Sequence, residues 1–195
     1  EHGEVIDGDQ ILFVLATARK TEGALVGPVV GTVMSNLGLE HALQAHDIEF
    51  RRAAVGDRYV LEELRLTGGI IGGETSGHMI CLDKTTTGDG LVTALQVLAI
   101  MKRTGQSLSA LVGGMSRYPQ TMVNVRTEER LDPGAHPAIQ DAVSAVEEEL
   151  AESGRVVLRA SGTEPVIRVM VEGENEQQVV TLAERLASVV AEAAT

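Results

Sequence analysis

The sequence predicts an α/β protein: a three-layer α/β domain with a mixed sheet, followed by a small α+β domain of order βαββα. Three observations predict it. Of the 195 residues 44% are hydrophobic but only 2% aromatic, and none is Trp, so the cores must be built from aliphatic side chains at the spacings of regular structure. Helical and extended patterns alternate through the first part of the chain, the grammar of a layered α/β domain. Around Gly113, Gly114 and Tyr118-Pro119 the alternation breaks and a fresh strand opens.

In chain order, Asp9 is a candidate N-cap for an apolar helix over 10–20. The β-branched run Val29 to Val33 reads as a buried strand, and Ser35, Asn36 and Gly38 lead into a helix near 39–45. A strand near 48–54, a short helix near 59–66, strands at 69–72 and 78–82, and a long helix over 90–103 complete a domain assigned to 1–114. The second domain, 115–195, opens with a strand at 121–126. After the Asp132-Pro133-Gly134 turn, Ile139, Ala142, Val143, Val146 and Leu150 recur at helical spacing. Strands at 155–160 and 166–172 flank a five-residue turn, and Val179, Leu182, Ala183, Leu186 and Val190 mark a last amphipathic helix. Helices on one face of a small open sheet are expected.

Charge narrows the partners. A formal net charge of −12 with no basic run argues against nucleic acid. The apolar runs are too short or interrupted for a helix that spans a membrane. The one cysteine, Cys81, sits in the apolar run 79–82 and reads as a packed core residue; with no secretory signal pattern, a reducing cytoplasm is the expected compartment.

Four polar loops interrupt the apolar pattern. Arg159-Ala160-Ser161-Gly162-Thr163-Glu164-Pro165, followed by Arg168, offers two hydroxyls, a tight glycine turn and two guanidiniums that can fork onto phosphate oxygens; a hairpin turn capped by Ser and Thr is the alternative. Gly73-Glu74-Thr75-Ser76-Gly77-His78 places a carboxylate, hydroxyls and an imidazole between apolar strands, which suits a sugar, or else makes a glycine-rich turn. In Gly56-Asp57-Arg58-Tyr59, Arg58 can meet a phosphate, or Asp57 can cap the next helix. In Lys84-Thr85-Thr86-Thr87-Gly88-Asp89-Gly90, Lys84 can edge a ligand while Asp89 caps a helix. Neither Asp7-Gly8-Asp9 nor the run from Asp83 to Asp89 has the ligand spacing of a Ca²⁺ loop, and Walker and zinc motifs are absent.

Taken together, Ile6-Asp7-Gly8-Asp9-Gln10, Val55-Gly56-Asp57-Arg58-Tyr59-Val60, Gly73-Glu74 with Ser76-Gly77-His78, Asp83 to Gly90, and Arg159 with Ser161 to Pro165 occur in an order that resembles the α-D-phosphohexomutases, closest to the branch acting on glucosamine phosphates. The resemblance implies domains three and four of a four-domain cytoplasmic enzyme, the fourth being TATA-box-binding-protein-like. It implies interconversion of glucosamine 6-phosphate and glucosamine 1-phosphate, a hexosamine phosphate substrate, through a domain-one phosphoserine and a bisphosphate intermediate. By the same resemblance Mg²⁺ binds in domain two, Glu74, Ser76 and His78 contact the sugar, and Arg159, Ser161, Gly162, Thr163 and Arg168 grip the non-reacting phosphate. His78, Arg58 and Lys84 are candidates for acid–base or electrostatic roles. No phosphoserine and no metal ligand is expected in this stretch, which should be inactive without domains one and two; a homodimer is among the assemblies the resemblance allows. Thr75 stands where an amide side chain would be expected. A phosphomannomutase or phosphoglucomutase fragment, or a non-catalytic phosphosugar-binding module, is the competing reading.

Overall fold

In the computed structural model, which describes residues 3–127, 131–161 and 164–194, the first sheet has four strands in the order β2-β1-β3-β4. These are β1 (Val29–Thr32), β2 (Phe50–Ala53), β3 (Ile71–Gly73) and β4 (Met79–Cys81). β1 runs parallel to β2 and β3, while β4 returns antiparallel along β3, so the sheet is mixed as the sequence predicts. Alternation of side chains across the strands explains the three layers. Val29, Ile71 and Cys81 enter a core with Leu12, Leu15, Leu39, Leu43 and Ile100, whereas Val30 and Ile80 enter a smaller one with Val60 and Leu64. The first core is covered by helices α1 (Gly8–Thr21), α2 (Leu37–Ala45), α4 (Gly90–Thr104) and α5 (Leu108–Val112), and the second by α3 (Asp57–Thr67).

Cap chemistry corrects one sequence expectation. Asp7, not Asp9, is the N-cap of α1, and with Gln10 it forms a capping box. Asp9 falls inside the first turn with no exposure. α3 likewise has Gly56 at its N-cap, so Asp57 is its first helical residue. Asp89 does cap α4, accepting from Val92 N. The sequence pattern did not predict α5, five residues between the cap Ser107 and Gly113.

The chain divides into two compact units, Glu1–Arg117 and Tyr118–Thr195. Buried Met115 packs in the core of the first unit, close to where the two units meet in sequence. The second unit is a three-stranded antiparallel sheet of order β5-β7-β6, from β5 (Gln120–Arg126), β6 (Gly154–Ala160) and β7 (Val166–Gly173). Helices α6 (Pro137–Leu150) and α7 (Glu176–Ala193) complete the βαββα order. Rows such as Val125 and Ile167, or Val123, Val169 and Leu158, face the helices, packing against Ile139, Val146, Leu182 and Leu186. The alternate rows carry the polar residues of the opposite face, as period-2 alternation requires. No helix among the described residues is long and apolar enough to cross a membrane.

Candidate functional site

Three parallel strands fix where polar loops can gather. β1, β2 and β3 end at the same edge, so the turns after Thr32, Ala53 and Gly73 lie side by side at the carboxyl ends, where α/β sheets hold ligands. Glu74 follows β3 directly. Its Oε1 accepts from Gly56 N at 2.6 Å, which ties the loop after β3 to the loop after β2. Gly56 has φ 125°, a conformation that a side chain would strain, and so leaves its N–H aimed at the carboxylate. His78 Nδ1 lies 3.4 Å from Asp57 Oδ1 and 3.9 Å from Glu74 Oε2. The loop closes through Glu74 N to His78 O at 3.0 Å and Gly77 N to Glu74 O at 2.9 Å, leaving Ser76 exposed at its tip. Arg58 extends from the first turn of α3, over the ring of Tyr59.

The start of α1 braces this loop. Gly8 N donates to Thr75 O at 3.0 Å, and a methyl group at position 8 would fall 1.9 Å from Glu74 O. Asp9 Oδ2 accepts from Thr75 Oγ1 at 2.9 Å and from Asn36 N at 2.8 Å. Burial raises the Asp9 carboxyl above its ordinary value, and these donors only partly offset it. Thr75 therefore turns its hydroxyl inward, onto the protein.

Asp57, Glu74 and His78 bring one potential ligand atom each within 4.8 Å of one another. The set does not fit Mg²⁺, which demands a compact octahedron of oxygens: one ligand is an imidazole nitrogen and Glu74 Oε1 is already engaged. As a group it suits hydroxyls, with carboxylates that accept and an imidazole that can donate or accept. Asp7 Oδ1 accepts from Gln10 N in the helix cap, and Asp9 Oδ2 is taken by Thr75 and Asn36.

Lys84 is placed elsewhere. Its Nζ lies 3.1 Å from Asp83 Oδ2, and Asp83 Oδ1 accepts from Arg19 Nη2 at 3.2 Å. Arg19 is in the last turn of α1, about 16 Å along the axis from Gly8. Arg19, Asp83, Lys84, Gln96 and Arg103 line a recess of about 190 Å³ there, and Arg19 also bonds Gln96. Burial pushes the Asp83 carboxyl up, but Lys84 and Arg19 together outweigh it and hold it below its ordinary value.

In the second unit Arg159 stands directly opposite Arg168 in the ladder, and Asn124 continues the row on β5. Ser161 N donates to Val166 O at 2.8 Å and Ser161 Oγ accepts from Glu164 N at 3.4 Å, so the turn begins with a hydroxyl cap. Gly162 and Thr163 lie outside the described residues. The buried Arg159 Nε has no hydrogen-bond partner among the described residues. An open recess of about 580 Å³ is lined by Arg168, Glu164, Asn124, Arg126 and Thr127. Sequence reasoning gave no role to Asn124 or Arg126, or to Asp57 beyond a cap; their signal is cross-strand register and strand order, which no local pattern carries.

Residues 7–118 match the family of phosphoglucomutase/phosphomannomutase, alpha/beta/alpha domain III, and residues 122–189 match its C-terminal domain. The chain is 60% identical to a phosphoglucosamine mutase of Methylococcus capsulatus over 98% of its own length and 43% of that protein's. A phosphoglucosamine mutase of Alkalilimnicola ehrlichii is 55% identical over 98% of this chain and 42% of its own. Among solved structures, Aspergillus fumigatus N-acetylphosphoglucosamine mutase, in complex with GlcNAc-6P and magnesium, superposes with a TM-score of 0.80 at 18% identity, over 96% of this chain and 47% of that one. The chain thus spans less than half the length of these relatives. With both domain matches falling in order on the two compact units, the chain belongs to the phosphoglucomutase/phosphomannomutase family.

Proposed function

We propose that the chain is the C-terminal part of a phosphoglucosamine mutase, which interconverts glucosamine 6-phosphate and glucosamine 1-phosphate. The observation that carries the reading is the convergence of Glu74, Asp57 and His78 at the carboxyl edge of the first sheet. A carboxylate accepts strongly from adjacent ring hydroxyls, and a sugar bound there meets charge-assisted bonds. The identity to phosphoglucosamine mutases supports the choice of sugar within the family.

On this reading Glu74, Ser76 and His78 hold the sugar, Arg58 adds positive charge beside it, and Arg159, Ser161, Gly162, Thr163 and Arg168 hold the phosphate that is not reacting. A phosphoserine in the N-terminal domains gives its phosphoryl group to a sugar oxygen, so one P–O bond forms as the serine P–O bond breaks. The bisphosphate then turns over and returns its other phosphoryl group to the serine. Phosphoryl transfer needs positioning and charge neutralisation above all, which is what these two loops offer. Lys84, next to Asp83 and Arg19, has a structural part in this conformation. The Mg²⁺ of the full-length enzyme belongs with the N-terminal domains, since the carboxylates here do not fit it. Cytoplasmic location, a homodimer and a role in supplying UDP-N-acetylglucosamine for the cell wall belong to the same proposal.

The test is a turnover assay of the full-length protein with glucosamine, glucose and mannose 6-phosphates, alongside Glu74→Gln. Preferential turnover of the amino sugar, lowered at least tenfold by the substitution, supports the reading. Preference for glucose or mannose 6-phosphate overturns the sugar assignment, and full activity of Glu74→Gln overturns the sugar-loop assignment.

A further inference from the structure

The polar face of the second sheet carries more positive charge than the phosphate loop accounts for. Strand register sets it out in rows. Asn124, Arg168 and Arg159 form one row across β5, β7 and β6. The next row toward the turn runs from Arg126 through Val166 to Ser161, because Arg126 pairs with Val166 and Ser161 N donates to Val166 O. Residues two apart on a strand share a face, so Arg126 stands on the same face as Arg168, one diagonal away. Such diagonals measure roughly 7–8 Å, within reach of a long side chain.

Among the described residues, the guanidiniums at the turn end of this face have no carboxylate partner. Arg159 and Arg168 are directly opposite, an arrangement of like charges that destabilises a ladder unless an anion joins it. Among the described residues no carboxylate forms an ion pair with Arg126, Arg159 or Arg168, whereas Arg155, on the same face farther along β6, is paired with buried Glu172 at 2.7 Å. Arg126 is exposed and, with Asn124, lines the recess beside Arg168. Glu164 is the carboxylate that lines it, and it makes no ion pair with either guanidinium.

We infer that the anion cradle extends onto β5, with Arg126 as a further phosphate-contacting residue and Asn124 as a neutral donor beside it. This rests on the reading of Arg159, Ser161 and Arg168 as the phosphate grip, and it adds to that grip a residue far from the loop in sequence. A guanidinium presents its donors as a rigid fork that matches phosphate, so a lysine at 126 replaces the charge but not the geometry.

The experiment measures inorganic phosphate and glucosamine 6-phosphate binding to the full-length protein by calorimetry, for wild type, Arg126→Ala, Arg126→Lys and Arg168→Ala. Arg126→Ala should weaken both ligands roughly tenfold, the loss expected for one charge-assisted contact, with Arg126→Lys between it and wild type. The melting temperature without ligand should stay unchanged, since the side chain is exposed. If Arg126→Ala does unfold the protein, Arg126→Gln keeps the length of the side chain and reads the same contact. Wild-type affinity in Arg126→Ala together with a loss in Arg168→Ala overturns the role of Arg126 and leaves the phosphate grip standing. Wild-type affinity in both variants overturns the grip, and the extension with it.

Discussion

Thr75 donates its hydroxyl to Asp9 Oδ2 at 2.9 Å, across 66 positions of sequence. The bond joins the first turn of α1 to the centre of the Glu74 loop, and the same Asp9 oxygen accepts from Asn36 N. One buried carboxylate therefore holds two of the loops at the sheet edge. Replacing Thr75 by Val keeps the shape and removes the donor. The expected cost is about 1 kcal/mol in chemical denaturation, the net worth of one such bond. Because Glu74 is next in the chain, the Michaelis constant of the full-length enzyme should rise more than its turnover number falls.

Gly8 is the least replaceable residue at this junction. A Cβ there would meet Glu74 O at 1.9 Å and Gly77 N at 2.6 Å, and both are backbone atoms that cannot swing aside. Gly8→Ala should cost about 2 kcal/mol or more, as overpacking at a rigid contact does. It should also displace the Glu74 loop, which amide exchange at residues 74–78 would report as faster exchange.

Asp9 and Asp83 give opposite pH dependences. Burial raises the folded-state value of Asp9, so its contribution to stability is full below the unfolded value of 3.8 and is lost as pH rises through the raised value. The stability of wild type relative to Asp9→Asn should accordingly fall as pH rises above 3.8. Asp83 is held low, despite the burial that pushes it up, by Lys84 and Arg19. Its contribution is present above 3.8 and lost as pH falls through the lowered value. Wild type relative to Asp83→Asn should gain stability with rising pH over that lower window. Urea unfolding from pH 3 to pH 7 compares the two signs.

Arg19 is 7% exposed and reaches Leu15 O, Asp83 and Gln96. Arg19→Ala leaves Asp83 without its buried partner and should destabilise by about 3 kcal/mol in the same denaturation assay. Arg19→Lys should recover only part of that loss, since an ammonium cannot span three acceptors set around a planar fork.

Much of this architecture was legible in the sequence. The strands β1 and β3, buried on both faces, were legible as short apolar runs between turn residues, and the helices α6 and α7 as apolar stripes at helical spacing, because each of these helices buries one regular face. The Glu74 and Arg159 loops stood out as polar interruptions between apolar strands. What escaped was tertiary. Asp7 and Asp9 look equally like caps in sequence, and only the approach of Thr75 and Asn36 makes Asp9 a buried acceptor. Asp57 meets His78 because β2 and β3 flank β1, a strand order that local patterns do not encode. Lys84 appeared close to His78 in the chain, yet the antiparallel return of β4 carries it toward Arg19. Five-residue α5 is too short to display a helical period.

α1 touches the Glu74 loop with its first turn and the Asp83 loop with its last. The helix is thus a rigid spacer, about 21 Å long for its 14 residues, whose two ends are each bonded to a different loop. Lengthening or shortening it cannot be absorbed by fraying, because neither end is free. An inserted residue would rotate Arg19 by about 100° relative to Gly8 and break register at one loop or the other. The helix length in this domain is accordingly a dimension of the ligand edge, and sequence drift here should favour substitution over insertion.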